Sequence, residues 1–194
     1  GICIYTGATE NVVRGNLASG NARAGIYLYG VGTMSNTVAG NVIGLNASGT
    51  GSLGNGNYGV MVFNGASHNV IGGTDLQDRN VVGGNGWDGV RLHRASSNRV
   101  IGNYIGTNTG GDAAIPNGYR GVFIWEAEDN EIGGAYVGEG NLISGNAHQG
   151  IELRAKTGYL AFPDIAGLST VYSGVFQSLN FPDSDGPFAH SDGT

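Results

Sequence analysis

The side chains able to do chemistry gather in the middle and late parts of this 194-residue chain. Asp88, Arg91, His93 and Arg94 fall within seven residues, Trp125 and Glu126 follow, and Glu152 and Arg154 come last. His93 with Arg91 is the pairing a polysaccharide lyase or uronate epimerase needs. A base takes the proton beside a carboxylate, and a cation steadies the enolate-like intermediate. A glycoside hydrolase instead needs two carboxylates at a set separation, for which Glu126 and Glu152 are the nearest pair. The same charges also fit a structural role, because opposite charges one rung apart on a sheet stabilise its surface modestly. No run of aspartates on successive segments suits a calcium ion. His68, His148 and His190 lack ligand-like spacing, so no metal is expected. Gly-Gly pairs such as Gly72-Gly73 and Gly133-Gly134 read as corners with no helix after them, and no cofactor is expected.

Whether these residues meet depends on the elements that carry them, and those elements repeat. Gly followed by alternating apolar residues recurs as Gly1-Ile-Cys-Ile-Tyr, Gly25-Ile-Tyr-Leu-Tyr, Gly59-Val-Met-Val-Phe, Gly89-Val-Arg-Leu-His, Gly121-Val-Phe-Ile-Trp and Gly150-Ile-Glu-Leu-Arg. The starts are 24, 34, 30, 32 and 29 residues apart. After each of the first five comes an Asn (Asn11, Asn36, Asn69, Asn98, Asn130), then a short apolar group and a Gly. A period near 30 residues without helical periodicity means a solenoid of strands. Three strands per coil fit: one after the Gly, one after the first Asn, and one around Val42-Ile43, Val81-Val82, Tyr104-Ile105 or Leu142-Ile143. Asn recurs every fifth residue in places (Asn11, Asn16, Asn21; Asn36, Asn41, Asn46; Asn98, Asn103, Asn108). These asparagines are expected at corners, where Asn tolerates positive φ and its amide can form ladders between coils.

A second order lies over the first. The segment NTVAGNVIGLN from Asn36 recurs as NRVIGNYIGTN from Asn98, 62 residues on, and Leu53-Gly-Asn-Gly is answered by Ile115-Pro-Asn-Gly. Two coil types therefore alternate. The expected fold is all-β, a right-handed parallel β-helix of about six coils over residues 1–155, with an irregular tail over 156–194.

With runs of the form G-V-x-I…N-x-I-G-G…N-x-I-S-G-N, the chain resembles the pectin-lyase-like superfamily of right-handed parallel β-helices. More narrowly, it resembles secreted bacterial proteins built of parallel β-helix repeats. The resemblance covers residues 1 to about 155 and implies a groove over an outward sheet face. It leaves activity open, because that superfamily includes lyases, hydrolases, epimerases, phage tailspikes and adhesins. The chain lacks an Arg-x-Lys or Asp-Asp pair of the polygalacturonase kind and an Asp-Pro-His of the epimerase kind. Its single lysine, Lys156, lies past the last coil.

Strand alternation turns the repeat into a surface map. The first and third residues after each Gly are aliphatic and face the core. The second and fourth face out in two rows: Cys3, Tyr27, Met61, Arg91, Phe123, Glu152, and Tyr5, Tyr29, Phe63, His93, Trp125, Arg154. Solvated sheet faces usually carry Thr, Ser, Lys and Glu, so six aromatic rings here mark a face that binds something. A glycan suits it, with pyranose faces on the rings and polar edges on Asp88, Glu152 and Arg154. An oligomer interface and a cover formed by the chain's own tail are the alternatives. That tail is rich in apolar residues, among them Tyr159, Phe162, Tyr172, Phe176, Phe181 and Phe188.

Composition narrows the partners. The chain holds 38 Gly and 20 Asn with 40% hydrophobic residues, which suits a turn-dense β protein rather than a disordered one. A net charge of −6 without a basic run argues against nucleic acid. The longest apolar stretches are a few residues, so no membrane span is expected. The lone Cys3 excludes an internal disulfide. The start at Gly1, already a strand start, suggests a processed piece whose first coil is covered by flanking sequence or a partner chain. The reading that results is an extracellular or cell-surface module binding extended polysaccharide, the alternative being a structural or adhesive segment, with homo-oligomers or flanking domains expected.

Overall fold

A computed structural model describes residues 1–155 of the chain. The expected covering or capping tail, 156–194, lies outside the described residues. The post-Gly strands form one parallel sheet of six: Ile2–Tyr5, Ile26–Tyr29, Val60–Phe63, Val90–His93, Val122–Trp125 and Ile151–Arg154, hydrogen-bonded in that order. A second sheet of five holds Val12–Arg14, Thr37–Ala39, Val70–Gly72, Arg99–Ile101 and Glu131–Ile132. A third holds Leu17–Ala18, Val42–Ile43, Val81–Val82, Tyr104–Ile105 and Leu142–Ile143. Each strand pairs with its counterpart one coil away, so the chain climbs one rung per turn as a right-handed parallel β-helix. Five complete coils and the first strand of a sixth lie within the described residues.

Register follows from the aliphatic pattern. Ile26, Leu28, Val60, Val62, Val90, Leu92 and Val122 all point inward and are fully buried, and the second and third sheets add Val38, Ile71, Val100, Ile43, Val82 and Ile105. A shift of one residue would turn all of these to the outside, so the burial itself fixes the stacking.

The corners are built from three amide ladders: Asn11-36-69-98-130, Asn16-41-80-103-141 and Asn21-55-85-117-146. In the ladders' buried middle, the carboxamide oxygen of one Asn accepts from both the backbone N–H and the Nδ2 of the Asn one coil earlier. Asn36 donates both to Asn69 Oδ1 at 3.0 Å, and Asn41 donates both to Asn80 Oδ1 at 3.0 Å. Such a buried polar column is stable because nearly every donor and acceptor is satisfied.

Two expectations about these asparagines are corrected. Asn46 and Asn108 are not members of the ladders, although each caps a turn of its loop through its amide oxygen. They begin inserted loops, each closed by an antiparallel bridge (Leu45 to Ser52, Thr107 to Ala114), and the third ladder runs through Asn55 and Asn117 instead. Nor do the ladder asparagines carry the positive φ. At the first corner it falls one residue earlier, on Glu10, Ser35, His68, Ser97 and Asp129, with φ between 54 and 59°. The chain bends there, and the following Asn faces the next coil with its N–H and amide.

The alternation of coil types is visible in the corners. The loops 46–54 and 108–116 occupy the third corner of the second and fourth coils. They meet each other across the coil between them, where Thr109 N–H donates to Gly49 O at 3.2 Å. That intervening coil turns tightly through Gly83-Gly84 and is covered by them, with Gly84 N–H donating to Ile115 O at 3.1 Å. At the second corner the long segments belong to the third and fifth coils, a 3-10 turn at Leu76–Asp78 and its counterpart around 134–139. Among the described residues no helix is long and apolar enough to cross a membrane.

Candidate functional site

The outer row of the six-stranded sheet is a continuous rail. Tyr5, Tyr29, Phe63, His93, Trp125 and Arg154 are Cα partners rung by rung. Ring centroids are 5.7 Å apart for Tyr29–Phe63, 4.9 Å for Phe63–His93 and 4.1 Å for His93–Trp125, the last pair lying within 10° of parallel. Tyr27 joins from the inner row, 5.7 Å from Tyr29. Tyr5 is 59% exposed, and rings further along are half-buried against their neighbours.

The inner row lies deeper. Phe123 is only 3% exposed and Arg91 8%, because Phe123 is walled in by three guanidinium groups. Arg120 lies 4.2 Å from its ring, Arg91 4.9 Å and Arg154 5.6 Å. Cations over an aromatic face are attracted by the ring quadrupole, more so away from water. Arg91 also sits 5.1 Å from the Tyr58 ring and 5.3 Å from Trp125, and donates to the Tyr58 hydroxyl at 3.1 Å.

Two carboxylates hold this cluster. Asp88, 1% exposed, lies with Oδ2 3.4 Å from Arg91 Nη1, while Oδ1 accepts from the Arg120 backbone N–H at 3.3 Å and lies 3.5 Å from Arg120 Nη1. Glu152 pairs with Arg120 Nε and accepts from Arg154 Nη2 at 2.8 Å. The neighbours Asp88 and Arg120 thus meet, and Arg94 Nε donates to Glu126 Oε2 at 2.7 Å. Glu126 and Glu152 are drawn into separate ion pairs, Glu126 at the strand end and Glu152 on the inner row. Burial pushes the Asp88 carboxyl above the usual range, against the Arg120 hydrogen bond and both arginine charges. The hydrogen bond from Arg120 holds Glu152 below it.

His93 is lowered from its ordinary value, first by burial and then by the charges of Arg91 and Arg94, with Glu126 opposing. The shift favours the neutral imidazole, the form a general base requires. Its Nε2 is buried and makes no hydrogen bond, so a base acting there would first have to be uncovered. Arg91 is already engaged by Asp88 and Tyr58. Among the described residues no group of three or more His, Cys, Asp or Glu side chains converges as a metal set.

A second rail runs along the turns that lead into the sheet, and the repeat pattern alone did not single it out. Arg23, Asn57, Trp87, Tyr119 and His148 occupy successive coils, linked by backbone hydrogen bonds of 2.7 to 3.0 Å. Trp87 meets Tyr58 edge-on at 5.7 Å and Tyr119 at 6.4 Å, and Tyr119 stacks on His148 at 5.0 Å. Trp87 and Tyr119 are each 47% exposed. The signal was an aromatic ring or His two residues before the Gly in three successive coils. Toward the first coil the face opens into a cavity of about 390 Å³ lined by Cys3, Arg23, Tyr27, Tyr58 and Met61, among others.

The sheet face thus carries two rows of rings with arginine side chains between them. Compared with protein-family models, with curated proteins and with solved structures, the chain matches none of them.

Proposed function

We propose that this chain is an extracellular or cell-surface β-helix segment, akin to the pectin-lyase-like superfamily, that binds extended polysaccharide along the aromatic face of its six-stranded sheet. The observation that carries the reading is the unbroken rail from Tyr29 through Phe63 and His93 to Trp125, set beside the cluster of Arg91, Arg120, Arg154, Asp88 and Glu152. The stacked rings present a continuous apolar ridge to solvent, and the partly exposed Arg120, Glu152 and Arg154 beside it offer donors and acceptors to sugar hydroxyls and carboxylates. A linear ridge of this kind fits a linear polymer better than a compact ligand.

Native affinity electrophoresis through gels containing polygalacturonate, alginate, arabinoxylan or hydroxyethylcellulose tests the proposal. At least one polymer should retard the protein. The Trp125→Ala/Tyr29→Ala double variant should migrate freely, with a melting temperature within a few degrees of the parent's. Retardation that survives the double substitution, or none with any of the four polymers, overturns it.

A further inference from the structure

We infer that Trp87, Tyr119 and His148 form a second wall of the same binding trough, so that one glycan chain is held between two aromatic rails. This rests on the polysaccharide-binding reading and extends it to residues outside the sheet. The first observation is exposure. Trp87 and Tyr119 each leave almost half their surface open although both contact neighbouring rings along the solenoid axis. Large aromatic rings at a turn with no core to fill, aligned over three rungs, form a patch of the kind that marks binding surfaces.

The second observation is how the rails are joined. Tyr58, in edge contact with Trp87, donates no ring to the outer rail, but Arg91 spans from it to Trp125. One rung on, Arg120 lies 5.8 Å from the Tyr119 ring and 4.2 Å from Phe123, and Phe123 lies 6.2 Å from Trp125. The floor between the rails is therefore continuous and made of guanidinium groups whose carboxylate partners, Asp88 and Glu152, lie among them. Polar groups on the floor would meet the hydroxyls of a sugar chain lying between the walls. Strands rise about 3.3 Å per residue, so the strand Val90–His93 alone spans roughly 10 Å and holds the two rails apart across the floor.

The composition supplies the test. The chain has two tryptophans, one on each rail: Trp87 on the turn rail and Trp125 on the sheet rail. Trp125→Phe leaves Trp87 as the only tryptophan, and Trp87→Phe leaves Trp125. Each single-tryptophan protein, checked for an unchanged circular dichroism spectrum, is titrated with polygalacturonate, alginate, arabinoxylan and hydroxyethylcellulose while emission is recorded. Both reporters should shift or quench with the same polymer at half-saturating concentrations within about threefold of each other. In the parent background, Trp87→Ala/Tyr119→Ala should weaken binding about tenfold. A response from Trp125 alone overturns the second wall and leaves polysaccharide binding standing. Silence from both overturns the two readings together. Responses more than tenfold apart in concentration, or from Trp87 alone, overturn the shared grip.

Discussion

Asn69→Ala should be among the most destabilising single changes in this protein, although it removes no apolar contact. Asn69 is fully buried at the middle of the first amide ladder. Its Oδ1 accepts from Asn36 N–H and Nδ2, both at 3.0 Å, and its Nδ2 donates to Thr33 O at 3.2 Å and Asn98 Oδ1 at 3.0 Å. Four hydrogen bonds disappear, and the buried Asn36 N–H is left without a partner. At about 1 kcal/mol net per bond, the loss comes to about 4 kcal/mol. Asn11 begins the same ladder but is exposed, and its side chain donates only to Thr9 O and Asn36 Oδ1. Water can replace both bonds, so Asn11→Ala should cost below about 1 kcal/mol. Urea unfolding followed by circular dichroism separates the two. With a slope of about 2 kcal/mol per molar urea, the midpoint of Asn69→Ala should fall about 2 M below the parent's, against less than about 0.5 M for Asn11→Ala. Equal midpoints for the two variants would refute the view that buried amide ladders, rather than the aliphatic column alone, hold the coils together.

Two further outcomes are expected. Gly72 and Gly133 hold equivalent corners with φ +100 and +83°, but a Cβ at Gly72 would lie 1.8 Å from Ile101 O whereas one at Gly133 meets nothing within 4 Å. Gly72→Ala should therefore lower the thermal midpoint severely, and Gly133→Ala only by the roughly 1–2 kcal/mol of a left-handed alanine; comparable melts would count against the close-packed corner. The depressed His93 value means the unfolded chain takes up that proton first on acidification. Its share of stability is thus complete above the ordinary histidine range, near pH 6.5, and lost as pH falls from there through the folded value. His93→Phe keeps a ring in the rail without titrating, so its stability relative to the parent should rise between pH 7.5 and pH 5. A pH-independent difference would show that His93 does not contribute to the acid response.

Much of the architecture was legible because the repeat states it several times. Aliphatic residues at the first and third positions after each Gly left one register possible, and the expected strand pairs and both outward rows appear in it. The inserted loops were harder. Asn46 and Asn108 stand five residues after a ladder Asn, as true corners do, and only the backbone path shows that Asn55 and Asn117 take the amide position. The second rail was hidden because its members differ in type from coil to coil, Arg23, Asn57, Trp87, Tyr119, His148, so no repeated letter announced it. The depth of Arg91 and Asp88 was equally out of reach. Alternation says that Arg91 faces outward, but the rings and guanidiniums around it make that outward position a buried one.

The interlocking of the long corner loops fixes how such a protein can change length. Each loop reaches past its immediate neighbour to its own kind two rungs away, Gly49 to Thr109 at one corner and Gly138 against Thr74 at the other. Removing one coil would bring two loops into the space of one and leave a glycine turn uncovered elsewhere, whereas removing or duplicating a pair would preserve every such contact. The unit whose addition or removal would keep these contacts is therefore the 62-residue pair.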